Sequence, residues 1–231
     1  MQASRRKFLI KAGTIAAVLV GGAYALRSCD TIPDSAAEAW EGPEDDLKDE
    51  DLRRWALSYA ILAPSASNMQ PWKVDLRIAD DLIRLFIDEE KLLPAADPYA
   101  RQTLIGLGGF VESLAIAAST QGHRAEVAYF PEGFAVDHPG RLPVADIRLV
   151  VDAEIKPDPL FEHLLIRRTN RQLYKSTPLT DEHRNVLNSA LVTDGVEADW
   201  ISKKQEVDAV RLAAAKAVSY THLTLPTICS V

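Results

Sequence analysis

DLRRWALSYAILAPSASNMQPWKVDLRIADDLIRLFI (residues 51–87) carries two different periodicities joined by a polar loop. In its first part Leu52, Trp55, Ala56, Tyr59 and Leu62 recur at helical spacing, so residues 51–62 are expected to form a helix with one apolar face. Pro64 stops it, because the residue before a proline is kept out of the helical region. In the second part Val74, Leu76 and Ile78 alternate with polar residues, and so do Ile83, Leu85 and Ile87. That period of two predicts a β-hairpin turning at Asp80-Asp81, although the turn lacks the usual glycine.

Downstream, residues 101–121 are almost wholly apolar, which predicts a long helix buried on most of its faces. Gly106, Gly108 and Gly109 lie inside it. Each glycine costs a helix about 1 kcal/mol against alanine, so close backbone packing is the expected compensation. Gly106-Leu107-Gly108-Gly109 is not a dinucleotide-binding loop, since it lacks the spacing and does not lie between a strand and a helix. Gly122 suits the helix C-terminus. Further strands are expected at 127–130 and 144–151. Further helices are expected at 159–168, at 181–191 behind a Thr180 cap, and at 203–217. The order implies an α+β fold: short antiparallel strands and flanking helices, with the long apolar helix at the centre.

The chain has 231 residues, 47% of them hydrophobic, with a net charge of -7 and only two cysteines. The apolar content excludes a mostly disordered chain. Two cysteines exclude a disulfide-stapled mini-protein and an all-cysteine zinc or iron–sulfur site. The acidic balance argues against nucleic acid as a partner. His123, His138, His163 and His183 show no metal-ligand spacing, so no metal site is expected.

Both ends read as separate from the fold. Ser4-Arg5-Arg6-Lys7-Phe8-Leu9, followed by an uncharged run from Ala12 to Leu26, has the form of a twin-arginine export signal over residues 1–26. The run is short for a stable transmembrane span. Cleavage after Ala25, lipidation at Cys29 and retention as an anchor all remain open. Residues 27–50 read as a solvated acidic linker. At the other end, Val218 to Thr227 breaks the amphipathic pattern and resembles translated library-adapter sequence, with a genuine short strand as the alternative. On the adapter reading, residues 218–231 are an artefact tail and the protein continues beyond Ala217.

Two constellations could carry chemistry. Pro64, Ser65, Ser67, Asn68 and Gln70 place hydroxyls, amides and unpaired backbone N–H groups in one short loop. A planar heterocycle with carbonyls and ring nitrogens is matched by such neutral donors and acceptors. The same residues also serve as turn caps in an ordinary connection. Arg167, Arg168, Thr169 and Arg171 gather guanidinium forks and a hydroxyl in an acidic chain, a donor set suited to phosphate. A solvated helix end with cations against the dipole explains them equally well.

Taken together, the segments point further. Ala63-Pro64-Ser65-Ala66-Ser67-Asn68-Met69-Gln70-Pro71-Trp72 is similar to the first flavin-site segment of the nitroreductase family, and Arg167-Arg168-Thr169-Asn170-Arg171 resembles that family's phosphate-holding segment. Asp97 to Gln102, ahead of the glycine-containing helix, resembles a branch with two fused halves. Their order is reversed relative to an ordinary member. The resemblance therefore implies an internal duplication: residues 51–157 as a first half, and 158–217 as the start of a truncated second half. It implies FMN as cofactor, the Arg segment on its phosphate, and the Pro-Ser loop along the ribityl chain and ring. It also implies a pseudo-dimer within the chain, or a homodimer.

The expected activity follows from that resemblance: an exported FMN-dependent oxidoreductase passing two electrons to a nitro, quinone or similar small-molecule acceptor. No catalytic side chain is required, because the flavin carries the chemistry. An FMN-sequestering protein without turnover is the alternative, and a flavin-free binding domain a third reading. The leader implies passage through the twin-arginine translocase, to the periplasm or the outer face of the cytoplasmic membrane. NAD(P)H is a cytoplasmic reductant, so the electron donor is open, with a membrane redox partner as one expectation. A half-complete fold would leave apolar surface uncovered, so the 231-residue chain is expected to dimerise or aggregate.

Overall fold

The computed structural model describes residues 37–44, 46–170, 172, 177–191 and 197–223. The segment expected to be an export leader, Cys29 and Arg171 lie outside the described residues. The chain divides into two compact units, Met1–Arg168 and Thr169–Val231.

In the first unit the elements run α1 (Leu47–Glu50), α2 (Leu52–Ala60), β1 (Trp72–Asp75), β2 (Leu82–Ile87), α3 (Arg101–Ser119), β3 (His123–Tyr129), β4 (Ala145–Val151) and α4 (Phe161–Leu164). Four antiparallel strands make one sheet in the order β1-β2-β4-β3. The α+β class and the central helix are as expected. The hairpin forms in the register Val74↔Leu85, and β2 continues onto β4 through Ile83↔Ile147. Both pairs turn to the same face, because side chains alternate across a strand. The structural reason β3 begins at His123, earlier than expected, is that it pairs with β4 along its whole length, from His123↔Val151 to Tyr129↔Ala145.

The inner face of the sheet packs on α2 and α3. Ile83, Leu85, Ile87, Phe110, Leu114 and Ile147 are its largest fully buried side chains. α3 has the length and composition of a membrane span, with a mean hydropathy of 1.2, but it is the core helix of this unit: Phe110 and Leu114 are 0% exposed. The outer face is polar, and there the cross-strand partners Arg84 and Asp146 form a bidentate pair with both N···O distances at 2.7 Å.

The hairpin turn without glycine has a different support. Arg53, on α2, donates from Nη1 to the carbonyls of Leu76, Ala79 and Leu82, and pairs with Asp51 through Nε and Nη2. The guanidinium thus adds to the turn's own bond from the Leu82 amide to the Ala79 carbonyl and satisfies the neighbouring backbone acceptors.

Two expectations change here. The acidic linker is not solvated throughout. Trp40 closes a 3-10 turn (Glu38–Trp40) beside Arg167 and Arg168, and Leu47 packs against the core. The helix expected over 159–168 is only one turn long, Phe161–Leu164. Phe161 lies against both Trp55 and Tyr59, at centroid distances of 6.1 and 5.0 Å, and this aromatic anchor fixes the segment on α2. Beyond it the chain leaves the helical path, and Arg167 reaches across to Leu62.

The second unit holds α5 (Asp181–Ser189) and α6 (Lys204–Leu223). Thr180 caps α5 as expected, its hydroxyl accepting from the His183 amide. α6 runs on to Leu223, so the change of pattern at Val218 is neither a helix end nor the start of a strand.

Candidate functional site

α2 ends at Ala60, and turns at Leu62 and Ala63 lead into Pro64. Ser65 is extended, and its Oγ accepts from the Gln70 amide at 2.9 Å. That bond closes the loop upon itself, so Ser65 shapes the loop from within. Ser67, Asn68 and Gln70 all adopt the left-handed region, at φ of 51°, 55° and 50°. Only asparagine among them is at ease there; left-handed backbone costs other residues roughly 1–2 kcal/mol each. Strain of this kind persists only where the surroundings hold it, and it gathers at functional sites. Ser67, Asn68 and Gln70 are exposed.

The floor that holds the loop is α3. A Cβ on Gly106 would lie 3.3 Å from the Pro64 carbonyl oxygen, and one on Gly109 would lie 3.7 Å from the Pro64 ring. These two glycines let the loop sit on the helix backbone. Gly108 has nothing within 4 Å of such a Cβ, so packing does not account for it. Lys91 adds a bond from Nζ to the Gln70 carbonyl at 3.2 Å.

Beside the loop, Asp97 caps α3. Its Oδ2 accepts from the Thr103 amide at 2.9 Å and the Thr103 hydroxyl at 3.0 Å, and Asp97 is only 8% exposed. Burial alone would raise its pKa, but the donors from Thr103, Gln102 and Arg101 outweigh it and hold the carboxyl below its ordinary value of 3.8. Between the loop and this capped end is a cleft of about 10 Å³, lined by Ser65, Ala66 and Met69 on one side and Asp97, Gln102 and Thr103 on the other. Larger hollows are open grooves. One of about 500 Å³ lies at Lys73, Asp75, Arg77 and Glu89, and another of about 480 Å³ at Asp51, Arg53, Asp80 and Asp81. Neither includes a residue expected at the site.

The arginine segment arrives at the base of the same loop. Arg167 Nη2 donates to the Leu62 carbonyl at 2.8 Å. Arg168 Nη1 donates to the carbonyls of Leu165 and Arg167, at 3.0 and 2.9 Å. Among the described residues neither guanidinium has a carboxylate within ion-pair distance. Most of their N–H groups therefore remain available in a chain of net charge -7. Arg167 and Arg168 belong to the first unit; Thr169 opens the second and is exposed. No hydrogen bond joins the side chains of Ser67, Asn68 or Gln70 to the arginine pair among the described residues. Trp72 packs on Phe110 at 5.3 Å as a core aromatic, and Arg101 is exposed.

Sequence reasoning missed Trp40. Its ring centroid lies 4.2 Å from the Arg168 Cζ and 5.8 Å from the Arg167 Cζ. It sits in an acidic stretch without apolar periodicity, and no local signal marks it. Arg53, near the start of α2, is committed to the hairpin turn.

No family model matches the chain. Curated relatives do. A Mycobacterium tuberculosis protein provisionally named NAD(P)H nitroreductase acg is 28% identical over 171 residues, covering 73% of this chain and 49% of the relative. An uncharacterized protein of the same organism, Rv3127, is 25% identical over 166 residues, covering 71% of this chain and 46% of its own length. The chain spans about half the length of the curated relatives it matches. Among solved structures, a nitroreductase family protein of Clostridium difficile matches with a TM-score of 0.35 and 15% identity over 60% of this chain and 89% of its own. A nitroreductase-like protein of Streptococcus mutans matches with a TM-score of 0.33 and 16% identity, over 51% and 82%. These structural likenesses are too slight to bear on function.

Proposed function

We propose that this chain forms the flavin-binding part of an FMN-dependent oxidoreductase of the nitroreductase type. The observation that carries the reading is the placement of Arg167, and with it Arg168, at the root of the strained loop. Two guanidiniums without carboxylate partners among the described residues stand where a loop turns Ser67, Asn68 and Gln70 to solvent. A phosphate dianion and a hydrogen-bonding heterocycle joined by a polyol chain fit such a donor set. The name carried by the acg relative supports the nitroreductase type.

In this reading Arg167 and Arg168 bind the phosphate, and Ser67, Asn68 and Gln70 orient the ribityl chain and ring. Ser65 and Pro64 hold the loop's shape. The reading does not require Thr169 or Arg171. Bound there, FMN supplies two-electron transfer to a nitro, quinone or similar acceptor, and the chain contributes position, charge and shelter from water.

Export forms part of the proposal. The leader would pass the folded protein through the twin-arginine translocase to the outer side of the cytoplasmic membrane. The electrons would then come from a membrane quinol, oxidised to quinone with loss of two protons, in place of NAD(P)H. Turnover assays with NADH, NADPH and a quinol decide between donors; fast turnover with a pyridine nucleotide rejects the quinol.

Titration of the 231-residue protein with FMN, followed by flavin fluorescence, tests the reading. Arg167→Ala and Arg168→Ala should each weaken FMN binding by roughly 10- to 100-fold, the worth of a hydrogen bond to a charged group. Circular dichroism should stay unchanged. FMN affinity unaltered in both variants would reject the proposal.

A further inference from the structure

We propose that Trp40 is a positioning residue for the anion-binding arginines, the seat on which their guanidinium planes are set. This rests on the flavin reading of the site. In the 3-10 turn Glu38–Trp40 the indole ring faces both cations, with Arg168 Cζ 4.2 Å and Arg167 Cζ 5.8 Å from its centroid. Both distances lie within the range of cation–π attraction.

The physical argument concerns which N–H groups such a seat leaves free. A guanidinium donates in its own plane, and a ring against its face takes none of those donors. Arg168 spends Nη1 on the Leu165 and Arg167 carbonyls, and Arg167 spends Nη2 on the Leu62 carbonyl. The backbone carbonyls thus hold one edge of each fork, and the guanidinium carbons lie over the indole ring. Nε and Nη2 of Arg168, and Nε and Nη1 of Arg167, keep no protein acceptor among the described residues. A carboxylate in place of the indole would have taken those donors. Glu38 and Glu41 flank Trp40, yet neither pairs with the arginines.

The seat is held in turn from behind. Gly42 has φ of 88°, and a Cβ on it would lie 3.2 Å from Leu165 Cδ1. The strap therefore makes its turn against the same short segment that carries the arginines, through a conformation that favours glycine. Preorganised donors lose less freedom on binding an anion than free side chains do, so Trp40 should raise affinity for the phosphate and for nothing else in the ligand.

The test compares FMN with riboflavin, which has the same ring and ribityl chain but no phosphate. Affinities of the full 231-residue protein are measured for wild type, Trp40→Leu, Trp40→Phe and Arg168→Ala. Trp40→Leu should weaken FMN binding about tenfold, the size of a partly desolvated cation–π contact, and leave riboflavin unchanged. Trp40→Phe, which keeps an aromatic face, should restore most of the loss. An unchanged preference for FMN in Trp40→Leu, beside a lost preference in Arg168→Ala, would overturn the seat and leave the flavin reading standing. A wild-type protein that binds FMN no better than riboflavin, with Arg168→Ala indifferent, would overturn the phosphate reading itself. Nuclear magnetic resonance of the wild-type protein gives a readout that needs no variant. The Arg168 Cδ protons should be shifted upfield by the indole ring current, and random-coil positions would overturn the seat.

Discussion

Three glycines in one helix have different reasons to be there. Gly106 and Gly109 are spaces for the Pro64 turn, as the close-packing expectation required, whereas Gly108 is exposed and faces nothing. Substitution should separate them. Gly108→Ala gains helix propensity at no steric cost and should stabilise the protein by about 1 kcal/mol. Gly106→Val should destabilise it by about 1–3 kcal/mol, since the branched side chain meets the Pro64 carbonyl oxygen. Urea unfolding of both variants checks the signs, and equal effects would show that the loop does not rest on Gly106. At this scale the chemistry was written in residue types: Pro64 as a helix stop, Asn68 as a residue tolerant of left-handed backbone, Arg167 as a fork. The left-handed turns at Ser67 and Gln70 were not, because neither residue favours that region, and only the docked loop imposes it.

Elements were readable wherever apolar periodicity was strong, and their ends were not. The β1–β2 connection had the alternation of a hairpin and the wrong turn residues. Arg53, from another element, adds three hydrogen bonds to its carbonyls. The start of α3 shows the same dependence. Ala100, at φ of 52°, offers no side-chain cap, and Asp97 folds back to cap the helix instead. The Asp97 carboxyl is held below its ordinary value of 3.8, so the folded state is favoured by its ionised form. That contribution is present in full above the unfolded value and is lost as pH falls through the folded one. Asp97→Asn, which keeps an acceptor oxygen and removes the charge, should therefore lower stability by about 0.3–1 kcal/mol near neutrality. The gap from wild type should close as pH drops below 3.8. Thermal melts of both proteins from neutral to acid check it; a gap independent of pH would remove the ionised cap from the account.

On the scale of the molecule, the two units are built differently. The first has a continuous core from Trp55 to Ile147 under one face of its sheet. The second has no buried residue among those described, and Val186, Leu187, Val210 and Leu212 are exposed on its helices. Without buried apolar area a unit lacks the main favourable term in folding. Amide hydrogen exchange should accordingly be slowest at Phe110 to Ala117 in α3 and faster by orders of magnitude throughout α5 and α6. Protection in α5 equal to that in α3 would refute this division of stability.

Local order alone settled the helix over Leu52–Ala60, the strands either side of Asp80, the long apolar α3 and the Thr180 cap, because each depends on residues a few positions apart. The meeting of Arg167 with the Leu62 carbonyl, the placement of Trp40 on Arg168 and the use of Arg53 at the hairpin belong to the packed chain. No spacing rule relates residues so distant along the backbone. They come together because Phe161 stacks against Trp55 and Tyr59, and burial of those aromatic faces chooses which remote segments become neighbours.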